Sequence, residues 1–157
     1  MTTLAKILLR SNVALDISVS DKQQAFEQAG LLFEASSGIA SLTVIDNLLA
    51  REALGSTGLG HGVAVPHGRV KGLKSAQAAF VRLKEAIPFD SPDGKPVNLL
   101  IFLLIPENVT QQHLEILSEI AEMFSNADFR ALLGREADPA VLHAEILAWQ
   151  PGRKNAA

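Results

Sequence analysis

The stretch Val97-Asn98-Leu99-Leu100-Ile101-Phe102-Leu103-Leu104-Ile105, broken only by Asn98, constrains this chain more than any other. A strand with one wet face alternates apolar and polar residues, whereas a strand covered on both faces reads as an unbroken apolar run. The run is also far shorter than the about 20 residues needed to cross a bilayer. It therefore predicts an interior strand closed by Pro106, with other elements packed on both of its sides.

Helical patterns surround it. Ser20 followed by Gln23 reads as a capping box, with Ala25, Phe26, Ala29, Leu32 and Phe33 on one face and Gly38 beyond the end. A second helix is expected after Ser41, with Val44, Ile45, Leu48 and Leu49 as its stripe and Gly55 as its left-handed stop. Val63-Ala64-Val65 is a short β-prone piece, and Ser75 to Leu83 a further strand. Pro88, Pro92, Asp93-Gly94 and Pro96 mark a turn-rich loop. After the central run, Thr110 is the expected N-cap of a helix with Leu114, Leu117, Ile120, Ala121 and Phe124 along its apolar stripe. A short helical piece over 128–133 should stop at Gly134, and Asp138-Pro139 should open a last helix through Trp149. Helices alternating with buried strands predict a layered α/β domain.

At 157 residues the chain fits a single domain, 1–157, with a polar tail over 151–157. It has no cysteine, which excludes disulfides, thiolate zinc sites, iron–sulfur clusters and a cysteine nucleophile. A net charge of −3 and 5% aromatics without tyrosine argue against nucleic-acid partners, which require a basic face or a stacking platform. Arg10 interrupts the apolar N-terminal stretch and no convincing cleavage site follows it, so a cytoplasmic protein without membrane insertion is expected.

The chemistry concentrates in Gly55-Ser56-Thr57-Gly58-Leu59-Gly60-His61-Gly62-Val63-Ala64-Val65-Pro66-His67-Gly68, which holds five of the 11 glycines. Clustered glycines let backbone N–H groups approach an anion. The Walker and dinucleotide patterns fail, since His61 follows Gly60 and Val63 stands where a third glycine belongs. His67, between Pro66 and Gly68, is either a presented phosphoryl or proton acceptor or a plain turn histidine. His113, in a first helical turn, suits an anion or is a solvated polar residue. Arg51 either reaches that anion or caps its own helix. His61 and His67 lack the spacing and carboxylates of a metal site, so no metal is expected. His143 and the Glu115, Glu119 and Glu122 row read as solvated. No hydrolase motif occurs.

The run from Arg51 to Gly68, ending in Pro66-His67-Gly68, resembles the active-site signature of the fructose/mannitol-type enzyme IIA domains of the bacterial phosphotransferase system. Gln112-His113-Leu114-Glu115 with Leu117, then Phe129-Arg130-Leu132-Leu133, resembles a second block of that family, and the likeness covers about residues 5 to 148. The resemblance implies an α/β sandwich in which helices flank a mixed β-sheet. It further implies that His67 accepts a phosphoryl group, as a tele-phosphohistidine, from an HPr-like carrier, with His113 and Arg51 beside it. Ser56, Thr57, Gly58, Gly60, His61 and Gly68 would line the phosphate, and no cofactor or metal is called for. Family members commonly carry asparagine where this chain has His61.

The free-standing length and the Gly-Ser-Thr-Gly opening are similar to the nitrogen-regulatory branch, which implies phosphorylation-dependent binding to proteins such as sensor kinases or potassium transport components. Leu59, Val63 and Val65 are expected as an apolar docking rim or as core. The alternatives are a IIA component that passes phosphate to a IIB domain for sugar uptake, an interaction module without phosphoryl chemistry, and a small metal-dependent hydrolase.

Overall fold

A computed structural model describes residues 2–108 and 111–152, with Gln112 as backbone alone. In chain order the elements are α1 (Thr3–Ile7), β1 (Leu8–Ile17), α2 (Lys22–Ser37), α3 (Ser41–Glu52), β2 (Gly58–Gly60), β3 (Val63–Ala64), β4 (His67–Val70), β5 (Gln77–Ile87), β6 (Val97–Pro106), α4 (Gln111–Ser125), α5 (Ala127–Arg135) and α6 (Pro139–Ala148).

The apolar run is β6, the central strand of a six-stranded mixed sheet ordered β1-β5-β6-β3-β2. β5 pairs with β6 antiparallel and β1 with β5 parallel. On its other side β6 carries two short parallel strands in succession, β3 at Leu99 and Leu100 and β4 from Leu103 to Pro106. The break between them is Val65-Pro66. Proline has no N–H to give a ladder, the Val65 N–H donates instead to Thr57 O at 3.0 Å, and pairing resumes when Leu103 N donates to Pro66 O at 2.9 Å.

Alternation along β6 divides the interior in two. Leu99, Ile101, Leu103 and Ile105 join the core beneath α1, α4, α5 and α6, and Leu100, Phe102 and Leu104 join the core beneath α2 and α3. Both faces are therefore dry. Phe102 meets Phe26 of α2 edge-on at 5.7 Å between ring centroids. Among the described residues no helix is long and apolar enough to cross a membrane.

Several element boundaries depart from the expectations. The N-cap of α2 is Asp21 rather than Ser20, its carboxylate accepting the Gln24 N–H at 2.8 Å while the Ser20 N–H reaches Gln24 Oε1. Asp21-x-x-Gln24 is the same box one residue on. Gly38 closes α2 in the left-handed conformation as expected. Helix α3 ends at Glu52, three residues before Gly55, because the Leu54 and Gly55 N–H groups fold back onto Arg51 O and Glu52 O. Gly134 lies inside α5, while Asp138 and Pro139 open α6 as read. The Thr110 cap lies outside the described residues.

The stripe of α4 is rotated. Ile116, Ile120, Met123 and Phe124 are buried, whereas Leu114 is 61% exposed and Ala121 faces outward. Two interleaved apolar rows share this helix, and the neighbouring layer decides which is covered. Glu119, expected in solvent, accepts the Thr3 and Leu4 N–H groups at 3.1 Å and so satisfies the open N-terminus of α1. His143 is likewise not simply solvated, since its Nε2 bonds Leu8 O at 2.8 Å.

Candidate functional site

Strand β4 is where the two helical layers meet, because among the described residues its outer edge has no strand partner. Residues two apart on a strand share a face. His67 and Arg69 therefore turn to the α4 side with Val65, and Gly68 and Val70 turn to the α3 side. At Gly68 an added Cβ would stand 3.1 Å from the carbonyl carbon and oxygen of Asn47, so the missing side chain lets the α3 backbone lie directly against β4. That contact fixes the rest of the wall. Asn47, Ala50, Arg51 and Leu54 follow at i, i+3, i+4 and i+7, one face of α3 and its exit turn. With His67, Gly68, Arg69, Ile105 and His113 they line a cavity of about 400 Å³.

The His67 ring is oriented by its own strand. Nδ1 lies 2.8 Å from Val65 O. A carbonyl oxygen can only accept, so Nδ1 carries the hydrogen and, in the neutral ring, Nε2 keeps the lone pair. Burial, with the nearby Arg51 and Arg69 charges, holds the His67 pKa below its ordinary value of 6.5, although the Val65 bond and the Glu52 carboxylate pull the other way. The ring is therefore neutral at physiological pH.

His113 stands edge-on to His67, ring centroids 5.3 Å apart. Burial first, then repulsion from His67 whenever that ring is protonated and from the Arg69 and Arg51 guanidinium groups, lowers its pKa too. Its Nε2 is buried and has no hydrogen-bond partner among the described residues. Two guanidinium groups complete the wall, each anchored through one nitrogen: Arg51 Nη1 on Gly55 O at 3.0 Å and Arg69 Nη1 on Glu107 O at 2.8 Å. A guanidinium has five N–H donors, so each anchor holds its fork in place without exhausting it. The assembly sets two guanidinium groups around an unprotonated imidazole nitrogen, an arrangement whose chemistry suits an anion.

His67, His113, Arg51 and Gly68 are thus brought together in one lining. The other sequence candidates are not part of this lining. Ser56 Oγ donates to Phe89 O at 2.7 Å and accepts the Gly58 N–H. Thr57 gives both its N–H and its hydroxyl to Glu52. Gly58 makes room for Ser91, whose Oγ an added Cβ would overlap. Gly60 and His61 form the tip of the β2–β3 turn at φ +88° and +56°, the His61 N–H held by Asp93 Oδ2 at 2.9 Å. Asparagine and histidine are among the side chains that tolerate positive φ, so His61 satisfies the backbone demand that asparagine would. Its side chain borders a separate cleft with Leu59, Phe124 and Arg130.

Val63 and Val65 are core, at 1% and 4% exposure, and Leu59 lies on that other cleft. The exposed apolar residue at the mouth of the His67 cavity is Leu54, 84% exposed. Arg69 was missed by the sequence reading. The available signal was strand alternation, which puts position 69 on the same face as position 67.

The family described as "Phosphoenolpyruvate-dependent sugar phosphotransferase system, EIIA 2" matches residues 6–148. A nitrogen regulatory protein of Pseudomonas aeruginosa is 37% identical over 154 residues, 98% of this chain and 100% of the relative. The crystal structure of nitrogen regulatory protein IIA-Ntr from Neisseria meningitidis superposes with a TM-score of 0.88 at 47% identity, covering 94% of this chain and 100% of that one. Mannitol IIA from Escherichia coli shares the fold, with a TM-score of 0.74 at 22% identity over 88% of this chain and 96% of its own. With the signature histidine set in a cationic cavity on an α/β sandwich of this architecture, the chain belongs to the EIIA 2 family of the phosphoenolpyruvate-dependent phosphotransferase system.

Proposed function

We propose that this protein is a histidine phosphocarrier of the nitrogen-regulatory kind, which takes a phosphoryl group on Nε2 of His67 from an HPr-like carrier and signals by its phosphorylation state. The observation that carries the reading is the Nδ1–H···O=C bond to Val65, which leaves the other ring nitrogen as the nucleophile beside two arginines. In the transfer the Nε2 lone pair forms a bond to phosphorus while the P–N bond to the carrier's histidine breaks, and that nitrogen keeps the bonding pair. His67 retains its Nδ1 hydrogen throughout. Arg51 and Arg69, with an N–H from His113, neutralise the phosphoryl oxygens, so positioning and charge supply the catalysis. One P–N bond replaces another, which makes the step reversible.

The output follows from charge. Phosphorylation adds up to about two negative charges at the cavity. A partner that covers Leu54 with apolar surface would have to bury that charge and would discriminate between the two states. Full-length similarity to nitrogen regulatory proteins supports a regulatory output of this kind.

The test is incubation with phosphoenolpyruvate, enzyme I and an HPr-like carrier, read by intact mass and by NMR of the histidine nitrogens. Wild type should gain one acid-labile phosphate on Nε2 and His67→Ala none. Uptake by His67→Ala, or attachment at Nδ1, would refute the reading. Onward transfer to a sugar-specific IIB domain would move the output from regulation to uptake.

A further inference from the structure

Directly behind the cavity lies a buried carboxylate that the transfer chemistry does not use. Glu52 is the last residue of α3 and its side chain is 4% exposed. It is held from three sides: Thr57 Oγ1 donates at 2.6 Å, the Thr57 N–H at 3.1 Å, and Lys22 Nζ from the first turn of α2 at 3.0 Å. Lys22 is itself fixed over the Phe89 ring, 4.4 Å from its centroid. A buried carboxylate is costly unless it is paired and hydrogen-bonded, and here every partner is a donor.

The clasp closes a short loop. Glu52 and Thr57 are its two ends, and between them the Leu54 and Gly55 N–H groups bond back to Arg51 O and Glu52 O. The carbonyl of Gly55, in the middle of this loop, holds Arg51 Nη1 at 3.0 Å. A continuous hydrogen-bonded path therefore runs from Lys22 through Glu52 and Thr57 to the loop, and from the loop to a guanidinium that lines the His67 cavity.

We propose that Glu52, clasped by Thr57 and Lys22, is a positioning residue that sets the 53–56 loop so that Gly55 O aims the Arg51 guanidinium into the cavity. Thr57 then serves the site through an arginine and not by touching phosphate. The proposal rests on the phosphocarrier reading for its meaning, while its geometry stands without it. Misplacing a charge-stabilising group by about an ångström can cost up to about 100-fold in rate, so a loosened clasp should slow phosphoryl uptake on the order of tenfold.

The experiment compares Thr57→Val, near in shape but without the hydroxyl, in the wild-type and Arg51→Ala backgrounds. Melting temperature and a heteronuclear spectrum establish that each variant is folded. The first readout is the NMR titration of the unphosphorylated His67 ring, which needs no phosphoryl donor. The groups facing that ring are Arg51 and Glu52 of α3, Arg69 of β4 and His113 of α4. Thr57→Val keeps all four groups but loosens Glu52 together with the aim of Arg51. It should therefore raise the His67 midpoint in the wild-type background, and that rise should be lost in the Arg51→Ala background, where only the direct effect of Glu52 remains.

The second readout is the rate of phosphoryl uptake, where the same non-additivity is expected. An equal effect of Thr57→Val in both backgrounds, or none in either, would overturn the proposal. Glu52→Gln supplies a variant should Thr57→Val not fold: it keeps an acceptor for Thr57 but removes the carboxylate charge, so its direct effect lowers the His67 midpoint in both backgrounds. Its uptake rate should again fall only when Arg51 is present, and an equal fall without Arg51 refutes the path. Non-additive titration in a chain that never takes phosphate would uphold the clasp and refute the phosphocarrier reading.

Discussion

Gly68→Ala tests whether the site depends on the close approach of α3 to β4. The added methyl would sit 3.1 Å from Asn47 C and O and 3.2 Å from Asn47 Cβ, inside the 3.4 Å at which ordinary contact begins. The obstacle is largely helix backbone, which cannot rotate away as a side-chain tip can, so α3 must retreat by a few tenths of an ångström. Overpacking of this kind costs about 1–3 kcal/mol, and replacing a strand glycine by alanine returns about 0.5–1 kcal/mol. Taking the middle of each range, the balance is a loss of about 1 kcal/mol, which for a domain of this length lowers Tm by about 2–4 °C.

Gly134→Ala is the matched control, because it lies in α5 with nothing within 4 Å of the added Cβ. There the helix preference acts alone and Tm should rise, corresponding to about 0.4–1 kcal/mol. Thermal unfolding followed by circular dichroism measures both variants. Phosphoryl uptake should also slow in Gly68→Ala, because Arg51 rides on the same helix one turn beyond Asn47, and stay unchanged in Gly134→Ala. An unchanged or raised Tm for Gly68→Ala would refute the tight-packing account of the site wall.

The pH dependence has a definite sign. His67 and His113 both have folded-state pKa values below 6.5, so below about 6.5 the unfolded chain binds more protons than the folded one. Stability is accordingly full above that value and declines as pH falls through the window beneath it, measurable as the urea midpoint against pH and expected to flatten in the His67→Ala/His113→Ala double variant. The rate of phosphoryl uptake should persist below pH 6.5 and fall only when the depressed His67 pKa is reached. A rate that halves at or above pH 6.5 contradicts the neutral-ring argument. Glu119→Ala removes the acceptor for two N–H groups of α1 and should cost about 1 kcal/mol in denaturant unfolding, with phosphoryl uptake unaffected.

The sequence carried the central strand because continuous apolarity has one cheap solution, burial on both faces. Gly38, Asp138 and Pro139 were legible because their backbone preferences act within a few residues. The strands β1, β2 and β4 were not legible. Leu8 to Ile17 mixes Arg10, Ser11, Asn12 and Asp16 among apolar residues, and β2 and β4 are three- and four-residue pieces whose strand character comes from their partners. The α4 stripe was misread because two apolar rows have equal helical spacing and only the opposing layer chooses between them.

What the sequence determined by itself was the layered α/β class, since burial on both faces is the solution open to a continuous apolar run, whereas at His67 it left a presented acceptor and a plain turn histidine both open. The tertiary structure decided which groups surround that imidazole. Arg69 joins it through strand alternation, His113 through the placement of α4, and Arg51 through a helix that can lie on β4 only where a side chain is absent. It also turned Thr57 and Ser56 away from the cavity, because Glu52 and Phe89 O offered their donors partners that no linear reading could see. Long-range contacts set these choices, and they exist only once the chain has closed on itself.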